Sequence, residues 1–433
     1  MTMAIILLVA GLVVGGGIGY FAAPRQATTS TPTTTGLPLK GATVKLGYIA
    51  SDTTALETGK PHHEQIITPD LNAWAKAIGW GGVQFVYLSD DAQGQSNTHL
   101  EKVQGYKSEG ITILEGGGWS SEAQSSLSYV NSNDMLMWST SSTSPTLAIA
   151  NDRLYRMCPA DSALAPALVD VMWSYGIKSV IIFQRGDSWG DGIVNLFVPA
   201  WTAKGGEQSG ATIRYAAEAT DFSNYLQQAN TAAAAANKKY PGGERVALLL
   251  LSFNEAPVIV TQMKDYPDVY ATRPFGGDGT ALSQRLMDDA PEQSNHLKIF
   301  SLQAQAPSSS KFNSLKARYE ALTKQQYNAY TAYAYDVGFL VANTIYQAQS
   351  SAADDVVSLQ TPTAYMSYGA GGWEQLNEFG DRAPPPFDVW FYAPGGAAQN
   401  NKPSFSYVAG TYNTDTKTMV WNTGVLGYTP KGP

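Results

Sequence analysis

The sequence predicts an α/β fold of two doubly wound, Rossmann-like lobes joined by a hinge. Three observations support this prediction. Apolar runs of strand length alternate with segments of helical length from residue 44 onward. The alternation forms two successive arrays of similar size, which indicates two lobes. Two of the apolar runs end in turns rich in glycine and serine, as expected at the carboxyl edge of a parallel sheet.

The chain opens with an uncharged segment, residues 4–23, that is long enough to span a bilayer as a helix. This segment lacks the basic start of a secretory signal, so residues 1–23 are predicted to be an uncleaved transmembrane anchor. The alternative is a signal segment that is cleaved near Ala22-Ala23. Residues 24–40 are rich in threonine and proline and predict a stalk. We therefore expect a single-pass anchor in the cell membrane, with the folded body on the extracellular face.

Composition narrows the class of protein. The 433 residues carry a formal net charge of -8 and no basic run, which argues against nucleic acid as a partner. The single Cys158 excludes an intramolecular disulfide and a thiol-based metal site. His62, His63 and Glu64 lack the spacing of a zinc-binding helix. We predict no cofactor and no metal.

The strands can be placed along the chain in order. The first array comprises four predicted strands, residues 44–49, 83–88, 111–114 and 135–138. After residues 151–157, the second array comprises residues 180–183, 213–217, 246–251 and 273–276. A strand at 299–303 and helices at 308–325 and 328–349 follow, and then antiparallel strands at 387–392, 405–409 and 419–421. We predict that lobe 1 contains residues 41–160 and 300–400, and lobe 2 residues 161–299 and 401–433.

Residues 111–145 carry the clearest candidate site. Two predicted strands with one helix between them must run parallel, so their carboxyl-end turns share one edge of the sheet. Ser120, Ser121, Ser141 and Thr143 would then face one crevice. The spacing of Ser121 and Gln124 is typical of a capping box, and the free amides of a helix start suit a carboxylate.

The order of these motifs resembles the type I periplasmic-type solute-binding proteins of ABC transporters, in particular the branched-chain amino-acid and amide receptor group. The resemblance covers roughly residues 44–349. It rests on segments that include Lys45-Leu46-Gly47, Tyr87-Leu88-Ser89-Asp90-Asp91, Gly118-Trp119-Ser120-Ser121, Ser139-Thr140-Ser141-Ser142-Thr143-Ser144-Pro145, Leu154-Tyr155-Arg156, Asp187-Ser188-Trp189-Gly190-Asp191-Gly192 and Tyr335-Asp336-Val337.

The resemblance implies an amino-acid pocket between lobes that close on the ligand. Ser120 falls where the family binds the ligand carboxylate, and Ser141 and Thr143 where it binds carboxylate and ammonium. Asp278 falls where a carboxylate pairs with the ammonium. Three more positions complete the pocket. Trp189 replaces the usual tyrosine, and Phe253 and Asn254 fall where groups of the second lobe close over the ligand. The sequence departs from the family at Trp119, where smaller residues are common, and near Leu56, where an aromatic residue is expected.

These inferences predict a receptor, not an enzyme, that delivers a small amino-acid-like ligand to the permease subunits of an ABC transporter. One alternative is a ligand sensor of the same fold. Another is an α/β hydrolase that acts on an amide or ester. Two observations argue against it: Ser120 and Ser121 lack the nucleophile-elbow pattern, and the sequence has only four histidines that could serve as a base. A third is a surface protein that has kept the fold and lost its ligand.

Overall fold

Two separate sheets organise the structure, a computed structural model that describes residues 39–241 and 244–432. The first sheet is entirely parallel, in the order β2-β1-β3-β4-β5. Its strands are β1 (Thr43–Ala50), β2 (Gln84–Asp91), β3 (Ile113–Glu115), β4 (Leu136–Ser139) and β5 (Leu154–Arg156). The predicted parallel pairing of the two strands around the candidate site is confirmed by the register of β3 and β4.

The second sheet has a parallel part and an antiparallel part. Its parallel strands are β6 (Ser179–Gly186), β7 (Glu207–Gln208), β8 (Ile213–Ala216), β9 (Val246–Leu251), β10 (Arg273–Gly276) and β11 (Phe300–Ala304). A separate hairpin of β12 (Tyr368–Gly369) and β13 (Gly372–Trp373) precedes the antiparallel strands β14 (Phe387–Ala393), β15 (Phe405–Asn413) and β16 (Thr418–Trp421). All six residues of β9 are buried, because helices cover both faces of this central strand.

The helices connect the strands and cover both sheets. They are α1 (Thr53–His62), α2 (Thr68–Ala77), α3 (Ser96–Ser108), α4 (Ser120–Ser132), α5 (Asp161–Tyr175), α6 (Ser188–Ala203), α7 (Ser223–Lys239), α8 (Ala256–Met263), α9 (Pro267–Tyr270), α10 (Gln284–Asp289), α11 (Pro291–Leu297), α12 (Ser310–Thr323), α13 (Ala329–Ala348), α14 (Ala353–Val356), α15 (Gln360–Tyr365) and α16 (Thr423–Leu426). A π-helical turn, His63–Ile67, joins α1 to α2.

The lobe boundaries differ from the prediction between residues 300 and 400. Strands β11 and β14 pair with each other inside the second sheet, so they belong to lobe 2. The helices between them pack on lobe 1, where Arg318 of α12 makes an ion pair with Asp70 of α2. The chain therefore leaves lobe 2 after β11 and returns at β14. Pairing between distant strands decided this boundary, and local sequence patterns carry no information about it.

A buried ion pair holds the connection between the lobes. Arg156, at the end of β5, is fully buried and donates from Nε and from a terminal nitrogen to the two carboxylate oxygens of Asp381, both at 2.6 Å. This paired geometry is the strong form of an arginine–carboxylate contact. It ties the segment that returns to lobe 2 to the last strand of the first sheet.

The predicted anchor, residues 1–23, and the predicted stalk up to residue 38 lie outside the described residues. Among the helices at 39–241 and 244–432, none has the length and apolar character needed to cross a membrane.

Candidate functional site

A cavity of about 160 Å³ lies between the lobes, at the carboxyl edges of both sheets. Seven of the nine predicted site residues line it: Trp119, Ser120 and Ser141 from lobe 1, and Trp189, Phe253, Asn254 and Asp278 from lobe 2. Gly118, Gly279 and Tyr330 complete the lining. Ligands of doubly wound sheets bind at this edge because the loops that follow the strands converge there.

Two predicted residues are outside the lining. Ser121 lies in the first turn of α4 but does not line the cavity, and the predicted capping box at Ser121 and Gln124 is wrong. The helix begins at Ser120, and the carboxylate of Glu122 accepts the Trp119 N–H at 3.1 Å. Thr143 is buried behind the wall, where its hydroxyl donates to Oδ2 of Asp161 at 3.0 Å.

The turn between β3 and α4 is shaped by glycine and a neutral histidine. Gly117 has a φ of +61°, which side-chain-bearing residues rarely adopt. Its N–H donates to Nε2 of His99 at 2.6 Å, and the other ring nitrogen of His99 contacts the Ser126 hydroxyl at 2.7 Å. Burial lowers the pKa of His99 to about 3, so the ring stays neutral and Nε2 remains an acceptor. His99 therefore supports the turn and is not free to act as a catalytic base.

Arg156 fixes the second turn, residues 140–144. One of its terminal nitrogens donates to the carbonyl oxygens of Ser142 at 3.0 Å and Ser144 at 2.8 Å. The charge of the guanidinium is balanced by Asp381, so these contacts are made without an uncompensated buried charge. The same residue that joins the lobes thus holds the serine turn in place.

The hydroxyl groups of lobe 1 differ in what they can offer a ligand. Ser141 already donates to the Gly118 carbonyl at 2.8 Å, and Thr143 donates to Asp161. Ser120 is an acceptor, because its Oγ receives the buried Ser144 N–H at 3.0 Å. Its own hydroxyl proton is therefore available to a ligand carboxylate, together with the unpaired amides of the first turn of α4.

Two buried carboxyl groups lie near each other beside the site, and of these two only Asp278 lines the cavity. Asp278 accepts from the Tyr330 hydroxyl at 2.7 Å through Oδ2, and its Oδ1 has no partner among the described residues. Asp161 is likewise unpaired at Oδ1. Burial raises the pKa of Asp278 to about 6, and burial together with the nearby Asp278 raises the pKa of Asp161 well above its usual range. Such a pair is stabilised by a cation that can contact both carboxyl groups.

Aromatic rings cover the cavity across the lobe boundary. Trp119 of lobe 1 stacks on Phe253 of lobe 2 with 5.0 Å between ring centroids, and Phe253 also packs against Trp189 at 4.4 Å. The guanidinium of Arg185 lies over the Trp119 ring at 5.0 Å. These contacts join the two lobes around the cavity and shield it from water.

Polar contacts also cross between the lobes. Tyr330 of α13 reaches Asp278, the Ser144 hydroxyl donates to the Ser188 carbonyl at 2.8 Å, and the Asn254 amide donates to Asp52. The structure is therefore a closed form, in which both lobes contact each other around the site.

Asp161 and Tyr330 were not predicted from the sequence as site residues. Asp161 stands at the first position of α5, where an acidic residue is expected simply as a favourable helix start. Tyr330 lies on α13, which is distant in sequence from every turn that forms the cavity. Only the topology identifies these two residues as part of the site, because the hinge brings α5 and α13 to the same edge as the serine turns.

The fold and this cleft together define a class of protein, the two-lobed solute receptors that enclose a small molecule between two α/β lobes. Comparison with known families agrees: residues 43–371 match the family model described as periplasmic binding protein. The chain belongs to this family. The predicted family is thereby confirmed.

Individual relatives are distant in sequence. An uncharacterized protein of Methanocaldococcus jannaschii is 24% identical over 394 residues, covering 86% of this chain and 92% of the relative. A leucine-binding protein, LivK, of Thermotoga maritima has a similar structure, with a TM-score of 0.69, 17% identity, and coverage of 86% of this chain and 99% of LivK.

Two solved structures with bound ligands are also similar. The branched-chain amino acid binding protein LivJ of Streptococcus pneumoniae, in complex with isoleucine, has a TM-score of 0.66 at 18% identity, with coverage of 84% and 99%. A solute-binding protein of R. palustris in complex with benzoate has a TM-score of 0.66 at 15% identity, with coverage of 88% and 98%. At these identities the likeness establishes the fold.

Proposed function

We propose that this protein is an extracytoplasmic receptor that captures an amino-acid-like zwitterion between its lobes and delivers it to the permease of an ABC transporter. The observation that carries the proposal is the division of the cavity. Hydroxyl and amide donors lie on the lobe 1 side, and the buried carboxyl group of Asp278 lies on the other. A buried zwitterion needs donors at its carboxylate and a fixed anion at its ammonium.

The residues take specific roles in this proposal. The ligand carboxylate accepts from the Ser120 hydroxyl and from the amides at the start of α4, whose positive dipole end favours an anion. The ligand ammonium donates to the free Oδ1 of Asp278, and the neighbouring Asp161 adds negative charge behind it. Trp119, Trp189 and Phe253 exclude water from both contacts, which strengthens them.

The similar structures support an organic acid as ligand. One is a leucine-binding protein, and the other two are complexes with isoleucine and with benzoate; all three ligands include a carboxylate. Benzoate has no ammonium group. For this chain Asp278 favours an amino acid, because benzoate would leave its buried Oδ1 without a partner.

We further propose that the N-terminal apolar segment anchors the receptor in the membrane, with the lobes on the extracellular side. The uncharged residues 4–23 and the stalk-like composition of residues 24–40 support this proposal. Protease accessibility of the lobes on intact cells, together with membrane fractionation, tests it. Release of the protein from membranes by salt washing would contradict an anchor.

Thermal unfolding of the full chain with a panel of ligands tests the receptor function. The panel contains the common amino acids, their amides and benzoate. A ligand at a hundred times its Kd adds roughly 2.7 kcal/mol of stability, which raises Tm by about 5 to 10 °C. Stabilisation by an amino acid is the expected result. Stabilisation by benzoate alone, or by no member of the panel, would contradict an amino-acid receptor.

A further inference from the structure

A second cavity, of about 210 Å³, lies within lobe 1 and is here called the lobe 1 chamber. It is enclosed by the carboxyl ends of β1 and β3 and by α1, α12 and α13. Three residues, Gly118, Ser141 and Tyr330, line both this chamber and the cavity between the lobes. The two cavities therefore adjoin at the position of the proposed ligand head group.

Gly118 stands at the junction of the two cavities. A Cβ atom at this position would lie 2.5 Å from the Ser51 hydroxyl and 3.3 Å from the Ser141 hydroxyl. A side chain would thus clash with the wall and occupy the passage. Glycine leaves room there for a ligand that extends from the cleft into the chamber.

The walls of the chamber carry a buried His63–Glu115 pair. Nδ1 of His63 lies 2.7 Å from the Gly59 carbonyl, and Nε2 lies 3.1 Å from Oε2 of Glu115. A carbonyl can only accept, so Nδ1 carries a proton. The second contact needs one further proton, on either Nε2 or Glu115. In both arrangements the pair is neutral overall, and Oε1 of Glu115 remains an acceptor.

Further polar groups lie in the chamber walls. Nε2 of the buried His62 has no hydrogen-bond partner within the described residues, and the side chains of Tyr48, Tyr319 and Glu115 also line the chamber. Burial lowers the pKa of His62 well below its usual value, so its ring is neutral. An aliphatic group in this chamber would leave Nε2 of His62 unpaired at a considerable cost.

The helix that supplies the histidines has an unusual backbone. Pro61 lies inside the last turn of α1, and the π-helical turn begins at His63. Such turns are rare and occur often at functional sites. Here the altered turn places two consecutive histidines, both buried, among the residues that line the chamber.

We propose that the lobe 1 chamber binds the distal end of the ligand, and that this end carries a hydrogen-bond donor such as an amide, an amine or a guanidinium group. The inference rests on the proposed amino-acid receptor and specifies its substrate class. The ligand is a polar amino acid whose head lies in the cleft and whose side chain donates to Glu115 and the tyrosine hydroxyls. A site built for hydrogen bonding strongly rejects an analogue that lacks the donor.

Calorimetric titration of the full chain tests this specificity with four probes: L-glutamine, L-lysine, L-arginine and L-leucine. At least one of the three polar amino acids is expected to bind about a hundredfold or more tightly than L-leucine. Tyr48→Phe removes one hydroxyl without changing the ring, and Glu115→Gln removes the carboxylate. Each is expected to weaken the polar ligand about tenfold.

Two exposed substitutions, Tyr365→Phe and Glu101→Gln, are matched controls and should leave all four affinities unchanged. Tyr48→Phe keeps the inference testable should Glu115→Gln fail to fold. Binding of L-leucine as tight as that of the polar probes would overturn this inference and leave the receptor function intact. Binding of none of the four probes to the wild-type chain would overturn this inference. The thermal-unfolding panel then decides the receptor function separately: stabilisation by another amino acid would uphold it, and stabilisation by benzoate alone or by no member would overturn it.

Discussion

The two walls of the cleft are built from different chemistry. The lobe 1 wall offers neutral donors, the hydroxyl of Ser120 and the amides at the start of α4. The lobe 2 wall offers the carboxyl group of Asp278 and the rings of Trp189 and Phe253. Neither wall alone matches both ends of a zwitterion. Full recognition therefore requires both lobes at once, which couples ligand binding to closure of the hinge.

The largest expected effect comes from removing the charge of the lobe 2 wall. Asp278→Asn leaves a bound ammonium without its main counter-ion and should reduce the affinity for an amino acid by about 3 to 5 kcal/mol. An amide ligand that lacks the ammonium should lose far less. Calorimetric titration measures both, with Asp265→Asn at an exposed position of lobe 2 as the control. Equal losses for the two ligands would remove Asp278 from the ammonium site.

The matching change on the lobe 1 wall is Ser120→Ala. It should reduce affinity by about 1.5 to 3 kcal/mol, the value of one hydrogen bond to a charged group. From the sequence alone, little effect on folding is expected. The structure changes this expectation, because the buried Ser144 N–H loses its acceptor, and the free energy of unfolding should also fall by about 1 to 3 kcal/mol.

Denaturant unfolding and ligand titration separate these two effects of Ser120→Ala. Ser128→Ala, at an exposed position of the same helix, is the control. Unchanged stability of the empty protein would contradict the hydrogen bond from Ser144. Unchanged affinity would mean that Ser120 does not bind the ligand carboxylate, and that the lobe 1 wall lacks this donor.

Acid should weaken the lobe 2 wall selectively. The buried Asp278 has its pKa raised to about 6, and it faces Asp161 and Tyr330. Binding of an ammonium requires the ionised form, so affinity should be nearly full at about pH 7 and fall as the pH drops through 6. Between pH 7 and pH 5 the loss should be about tenfold. The empty protein should show the opposite trend, because burial of an ionised carboxyl group costs stability as the pH rises.

The Asp278→Asn variant provides the control for this pH dependence and should show a flatter affinity profile. An identical decline in wild type and variant would assign the titration to another group.

The smallest expected effect concerns the rings that join the walls. A double-mutant cycle with Trp119→Ala and Phe253→Ala should give a coupling energy of about 0.5 to 1.5 kcal/mol in ligand affinity, because the two rings stack across the lobes. Trp373→Ala is the control. The exposed rings of Tyr368 and Trp373 are also in contact, but both lie in lobe 1, so the loss of this contact should leave ligand affinity unchanged. Additive losses at Trp119 and Phe253 would mean that the stack does not favour closure.

Much of the fold could be predicted from the sequence, because strands and helices have local signatures. The predicted strand 246–251 matches β9 residue for residue, and the antiparallel strands after residue 386 were also placed correctly. The assignment of residues 300–400 to lobe 1 failed in part. The position of a strand within a sheet depends on partners that lie far away in the chain, as β11 and β14 show.

The candidate site shows the same limit. The serines of the lobe 1 turns could be predicted because each directly follows an apolar run. Asp161 could not, since its contact with Thr143 and its closeness to Asp278 arise only when the hinge folds. The start of α4 was misplaced because Glu122, not Gln124, caps the helix from within its first turn.

The return of the chain between the lobes has a consequence for how the protein is made. Lobe 1 is completed by α12 and α13, and lobe 2 by β14, β15 and β16. During synthesis from the N-terminus, neither hydrophobic core can close until the last third of the chain is available. The nascent protein must therefore keep its apolar strands unassembled for most of its synthesis, and both lobes reach their native packing almost together at the end.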